Sequence, residues 1–236
     1  MFITISPPTP DEIHTDFSTI SVASHFTTVL LDLDNTCYEY EPCSTAAKVA
    51  VVKAISDIVG SVIDFKSLYA AAQDTIKDRI RTHGASHARV LYFQALFEQL
   101  GRTDGHIHAD RLEQLYWDTF FTIMKPVAGL PAFLARARES GKTIVVISDL
   151  TTAIQCKKLR HLGIAESIDY LVTSEEAGIE KPASEIFTLA LAKAHAIADT
   201  TLMIGDSEEK DITGAHALNI YSILIRHEDI SQQTSL

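Results

Sequence analysis

A mostly parallel, doubly wound α/β sheet with an inserted all-helical unit is the fold this sequence predicts. Three observations predict it. Short aliphatic runs rich in β-branched residues recur along the chain. Helical patterns separate the later runs. One long stretch between the first and second run has helical spacing only.

Taken in order, residues 1–26 are polar and turn-rich, with Pro7, Pro8 and Pro10 close together. They are expected to form an N-terminal arm without chemistry, in which MFITIS (1–6) alternates weakly enough for a short edge strand. TVLLDL (28–33) reads as the first buried strand. From 42 to 125 the strand signal stops. STAAKVAVVKAISDIVG, FKSLYAAAQDTIKDRI, SHARVLYFQALFEQLG and ADRLEQLYWDTFFTIM all show helical spacing, which predicts about four helices folded as one unit. The core is therefore expected to comprise 27–41 and 126–236, with the insertion at 42–125. LPAFLARARESG (130–141) is an amphipathic helix stopped by Gly141, and TIVVIS (143–148) is the next strand. TTAIQCKKLRHLG (151–163) is a helix stopped by Gly163, and DYLVTS (169–174) a strand. SEIFTLALAKAHA (184–196) starts with Ser184 as a plausible cap. TLMIGD (201–206), the short helix ITGAHALN (212–219) and the strand IYSILI (220–225) complete the alternation.

With 46% hydrophobic residues, the chain has ample material for a packed core. A net charge of −11 lacks the broad basic footprint of a nucleic-acid binder, but leaves room for a small anionic substrate in a locally attractive pocket. No run has the apolar length of a membrane span, and the first residues have no secretory pattern. The three cysteines, Cys37, Cys43 and Cys156, fit neither a zinc site nor a disulfide framework. Reduced thiols in a cytoplasmic protein are the expectation. The oligomeric state is not legible.

In an open α/β sheet, ligands bind beyond the carboxyl ends of the strands. The first strand delivers Asp32 and Asp34 to that edge, the second Ser148 and Asp149, and the fourth Asp206, with Asp211 shortly after. Lys181 lies in GIEKP, on the loop after the third strand. Asp32, Asp34, Asp206 and Asp211, four carboxylates so close, repel strongly, and Lys181 alone does not balance them. Oxygen donors without converging His or Cys suit Mg²⁺ better than zinc.

The order and spacing of LDLDNT, VVIS, Lys181–Pro182 and IGDSEEKD resemble the four motifs of the haloacid dehalogenase superfamily. The resemblance spans roughly 27–225, and the helical insertion falls where one cap class of that superfamily places its cap. It implies that Asp32 attacks phosphorus to form an aspartyl-phosphate and that Asp34 serves as general acid, then base. It also implies Mg²⁺ held by Asp32, the Asp34 carbonyl and Asp206, with Asp211 orienting waters or Lys181. Ser148 and nearby N–H groups would hold the phosphoryl oxygens. Dehalogenases lack the second acid because a leaving halide needs no proton, so Asp34 favours phosphoester chemistry. Asp149 stands where the family often has Asn; helix capping is its expected role.

In the insertion, KDRIRTHGASHARVLYF concentrates basic residues around Gly84. The functional reading is an anion-binding loop over the substrate, with Arg81, His87 and Arg89 as candidates. The alternative is a solvated helix face and turn. Tyr38 and Tyr40 either line the entrance or pack a hinge. Leu91, Phe93, Leu96, Phe97, Trp117, Phe120 and Phe121 are expected in the insertion's core. DLDNT with Tyr38 is similar to the nucleotidase-like and sugar-phosphatase-like branch, which implies a nucleoside monophosphate or a small sugar or acid phosphate as partner. A sugar phosphomutase and a non-catalytic binding protein that kept the fold are the competing readings.

Overall fold

The computed structural model describes residues 9–227; the expected edge strand at MFITIS lies outside them. The central strand, β2 (Thr28–Leu31), is apolar on both faces and fully buried, as a parallel strand covered by helices must be. It lies between β3 (Thr143–Ser148) and β5 (Thr201–Gly205), with β4 (Tyr170–Thr173) beyond β3 and β6 (Tyr221–Ile225) beyond β5. With β1 (Glu12–His14) at the edge beside β6, the resulting ladder, β1-β6-β5-β2-β3-β4, is parallel throughout.

The sixth strand, β1 (Glu12–His14), was not anticipated. The arm is docked: β1 pairs with β6, the Asp11 carboxylate accepts the Ser222 N–H at 2.8 Å, and Phe17 packs against Phe133 with ring centroids 5.1 Å apart. A strand this short carries too little periodicity to be read from sequence.

Alternation assigns the two faces. Val29 and Leu31 join Ile144, Val146, Leu202 and Ile204 on one side, under Leu134 of α5 (Leu130–Glu139) and Leu159 of α6 (Thr152–His161). Leu30, Val145, Ile147 and Met203 face the other side, against Ile186, Phe187 and Ala190 of α8 (Ser184–Lys193) and Ala215 of α9 (Thr213–His216). A short α7 (Ser174–Ala177) follows β4. Ser184 does not cap α8: Ala183 occupies that position, and the Ser184 hydroxyl bonds Glu185 instead.

Between β2 and β3 run α1 (Tyr40–Val59), α2 (Phe65–Ile80), α3 (Arg89–Gln99) and α4 (Gly105–Ile123), a bundle in which α1 packs on α4, α4 on α3 and α3 on α2. Phe93, Leu96, Phe97, Trp117 and Phe120 are buried in it, while Leu91 and Phe121 are only partly so. The chain enters and leaves the bundle side by side, the Val127 N–H donating to the Cys37 carbonyl at 3.0 Å. Among the described residues, no helix is long and apolar enough to cross a membrane, and the three cysteines form no disulfide.

Candidate active site

Because β2 and β5 are neighbours, their carboxyl ends deliver Asp32 and Asp206 to one place. Asp211 returns from a π-helical turn, Glu208–Ile212, whose start Ser207 caps. A Cβ on Gly205 would lie 2.3 Å from Asp211 Oδ2. Glycine there lets the carboxylate lie against the strand end and accept the Ser207 N–H at 3.0 Å. Asp32, Asp206 and Asp211 each offer an oxygen, and these oxygens lie within 4.8 Å of one another.

Lys181 Nζ donates to Asp32 Oδ1 at 2.5 Å, Asp211 Oδ1 at 2.6 Å and the Ile147 carbonyl at 3.3 Å. One ammonium bridges two of the three carboxylates, and buried Asp32 Oδ2 has no partner. Burial pushes the Asp32 carboxyl well above the usual range; Lys181 pulls it down, and Asp211 and Asp206 push it further up. Asp206 is pushed up to about 6 by burial and by Asp211. An all-oxygen donor set with residual negative charge and an orphaned buried lone pair fits a hard divalent cation.

Asp34 is held elsewhere. Lys158 Nζ, fully buried under the rings of Tyr38, Trp117 and Phe120, donates to its two oxygens at 2.6 and 2.9 Å. The Tyr38 hydroxyl bonds Oδ1 and Gln155 Nε2 approaches Oδ2 at 3.4 Å. Burial raises the Asp34 carboxyl, but Lys158 and these hydrogen bonds outweigh it and hold the group below its ordinary range. Nothing adjacent to Asp34 in the sequence points to Lys158 or Gln155. Both lie on α6, where a polar residue ordinarily faces water. The available signal was their placement one turn apart on a helix that follows a site strand.

Ser148 is buried at the end of β3 and accepts from Gln155 Nε2 at 2.7 Å. Asp149 is not a helix cap. Its Oδ1 accepts the Lys181 backbone N–H at 3.0 Å, its Oδ2 pairs with Lys210 at 2.7 Å, and Thr151 takes the cap position.

These groups open onto a cavity of about 340 Å³ between the sheet edge and the bundle. From the insertion, Tyr40, Gln73, Lys77, His87 and Arg89 line it. Arg81 does not. It ends α2 with φ +58° and is exposed. Tyr38 does not line it either, since its hydroxyl is spent on Asp34 and its ring packs edge-on against Phe120.

The haloacid dehalogenase-like hydrolase model matches residues 26–219. The chain belongs to the haloacid dehalogenase-like hydrolase family. It is 36% identical over 211 residues to the ribulose-1,5-bisphosphate 5-phosphatase of Halopiger xanaduensis, covering 88% of each chain. It is 30% identical to the glyceraldehyde 3-phosphate phosphatase of Methanocaldococcus jannaschii, covering 84% of this chain and 83% of that one. The 2-haloacid dehalogenase of Pseudomonas syringae shares the fold, with a TM-score of 0.73 at 20% identity, covering 88% and 91% of the two chains. Family and relatives together place the chain among the phosphatases of this superfamily.

In this haloacid dehalogenase-like hydrolase the insertion is tied to the core by Glu180. Its Oε1 accepts from the Ser86 hydroxyl at 2.8 Å and meets His87 Nε2 at 3.0 Å, and its Oε2 pairs with Lys210 at 3.2 Å. Gly84 permits the approach, because a Cβ there would lie 2.5 Å from the Glu175 backbone nitrogen. Burial raises the Glu180 carboxyl, but His87, Ser86 and Lys210 bring it down to about 2. A depressed carboxyl stabilises the fold above its unfolded value and loses that contribution as pH falls through the folded one. Glu180→Gln should therefore remove about 1–3 kcal/mol of stability at pH 6 and little at pH 2.5. Urea unfolding across that range checks it: equal pH slopes for the two proteins would deny Glu180 the role.

Proposed function

We propose that this chain is a Mg²⁺-dependent phosphomonoester hydrolase that works through an aspartyl-phosphate on Asp32 and acts on a small sugar or acid phosphate. The observation that carries the reading is the pairing of Asp32, pinned by Lys181 with one buried oxygen unpartnered, with Asp34 two residues on and held separately. The free oxygen of Asp32 attacks phosphorus as the bond to the leaving oxygen breaks, and Asp34, which must first be protonated against the pull of Lys158, passes that oxygen its proton. Asp34 then takes a proton from water, which attacks phosphorus, releases phosphate and restores Asp32. Lys158 sets how readily Asp34 accepts its proton. Ser148 and nearby backbone N–H groups hold the phosphoryl oxygens in line, while Lys181 keeps Asp32 in place. Mg²⁺, held by Asp32, the Asp34 carbonyl and Asp206 with Asp211 alongside, would supply neutralising charge between the carboxylates and the phosphoryl group.

Helices α1 to α4 act as a lid that excludes water other than the nucleophile. The named relatives act on sugar and triose phosphates, which favours that class over nucleotides. Three unpaired thiols support a reducing, cytoplasmic setting.

The test is phosphate release from a panel of sugar, acid and nucleoside phosphates, with Mg²⁺ and after exhaustive chelation. Turnover should vanish on chelation and return with Mg²⁺. Activity that survives chelation sinks the reading, and a phosphorylated isomer as product replaces it with a mutase. Stability supplies an independent check. Asp32 and Asp206 bind protons more tightly when folded, so their contribution is present at low pH and lost as pH rises through the folded value, about 6 for Asp206. Mg²⁺ at a fixed concentration a hundredfold over its Kd at pH 7.5 should restore about 2.7 kcal/mol at that pH and much less at pH 5, where its Kd is higher. Thermal melts at the two pH values with and without Mg²⁺ measure this, and equal shifts would place the metal elsewhere.

A further inference from the structure

Five cationic side chains other than His87 line the cavity, and three of them are already neutralised. Lys181 serves Asp32 and Asp211, Lys158 serves Asp34, and Lys210 serves Asp149 and Glu180. The remaining two, Lys77 and Arg89, have no carboxylate partner among the described residues. Both come from the helical wall, α2 and α3, opposite the acids of the sheet edge.

Arg89 is the unusual one. It is 5% exposed, and its Nε is buried without a hydrogen-bond partner. Its two other nitrogens donate to the His87 carbonyl and the Tyr40 hydroxyl, both neutral acceptors. The rings of Tyr92, Tyr116 and Trp117 surround the guanidinium at 5.3 to 5.5 Å. Aromatic faces and neutral acceptors soften the burial of a cation but do not cancel its charge. A planar fork with donors to spare, fixed in place at a cavity wall, is the side chain best suited to a carboxylate or phosphate. Arg89 is also set back from the chemistry. It bonds none of the catalytic carboxylates, and its guanidinium and the Lys158 ammonium, the partner of Asp34, share the ring of Trp117 at 5.4 and 5.5 Å. In a chain of net charge −11, two unpaired cations on one wall of the cavity are a local inversion of sign.

We propose that Arg89, assisted by Lys77, forms a second anion subsite that holds a phosphate or carboxylate at the end of the substrate remote from the scissile phosphate. The substrate is therefore a doubly anionic metabolite, a bisphosphate or a phosphorylated acid. This rests on the phosphomonoesterase reading for the other end of the molecule. Arg89 and Lys77 are binding residues that select the substrate and take no part in proton or phosphoryl transfer.

The experiment compares a pentose bisphosphate, a phosphorylated short-chain acid and the matching pentose monophosphate, with Mg²⁺ present. Turnover is measured with the wild type, Arg89→Met, Arg89→Lys and Lys77→Met. Binding is measured by calorimetry on Asp32→Asn protein, alone and combined with Arg89→Met, so that affinity is read without turnover. The wild type should favour one doubly anionic compound over the monophosphate by kcat/KM, and Arg89→Met should cut that ratio about tenfold to a hundredfold, mostly through KM. Arg89→Lys should keep part of the ratio, and Lys77→Met, an exposed change that leaves the aromatic cage intact, should lower it severalfold. Which doubly anionic compound wins names the anion as phosphate or carboxylate. Equal losses on all three compounds in Arg89→Met, or calorimetric affinities for the doubly and singly anionic compounds that do not differ, would overturn the subsite and leave Arg89 a packing residue. No turnover of any compound, with the affinity difference intact, would instead remove the hydrolase reading and leave the subsite standing.

Discussion

Asp32→Asn is expected to lower phosphate release by about 10⁴-fold or more, because an amide cannot act as the attacking oxygen and no second carboxylate is placed to substitute. Asp206 and Asp211 share the cluster, but Asp206 accepts from the Thr36 hydroxyl at 3.3 Å and is assigned to the metal, Asp211 is bound by Lys181 and the Ser207 N–H, and Asp34 is held by Lys158. The fold should survive the change. The carboxyl of Asp32 is raised well above its ordinary range chiefly by burial, so a neutral amide of the same shape relieves strain in the metal-free protein. Melting without Mg²⁺ should therefore be unchanged or higher, while the gain from added Mg²⁺ should shrink. Activity and melting temperature measured on one preparation separate chemistry from folding. Residual turnover above about one per cent of wild type would assign the nucleophile to another group.

Lys181→Met should cost about 3–5 kcal/mol in the absence of metal, the range for stranding buried charge by removing its partner. Its ammonium, with a side chain 3% exposed, holds Asp32 and Asp211 together at 2.5 and 2.6 Å. Without it two nearly buried carboxylates face each other with Asp206 beside them. Asp211→Asn added to Lys181→Met should recover a substantial part of the loss, since the double change removes a charge together with its counter-charge. Turnover should still fall by about 10²–10³-fold in both, as expected when the fixed cation that positions the Asp32 carboxylate is lost. Urea unfolding at pH 7.5 reads the stability, and a loss under about 1 kcal/mol for Lys181→Met would mean that water, not Lys181, balances the cluster.

Much of the site was legible because its residues sit at strand ends. In a parallel sheet every carboxyl end points the same way, so Asp32, Ser148 and Asp206 had to meet once their strands were recognised. Lys181 followed from its place on the loop after β4. Asp149 did not follow. A polar residue just before a helix reads as a cap, yet its two oxygens reach the Lys181 N–H and Lys210 in other loops. Arg81 and Arg89 looked equivalent in sequence. A backbone reversal at Arg81, with positive φ, ends α2 and leaves that side chain outside the cavity, while Arg89 starts α3 and is buried in its wall.

By itself the sequence determined the alternation of strands and helices, the helical insertion and the sheet edge where the acids gather. Those features follow from local periodicity and from chain direction, which neighbouring residues encode. Only the tertiary structure decided which charge neutralises which. Lys158 and Asp34 are 124 positions apart, Lys181 and Asp32 are 149, and Lys210 and Asp149 are 61. Charge pairing acts through separation in space, and no short stretch of chain records that separation. Among the described residues, Arg89 was left without a carboxylate partner by the same packing that supplied one to each of Lys158, Lys181 and Lys210.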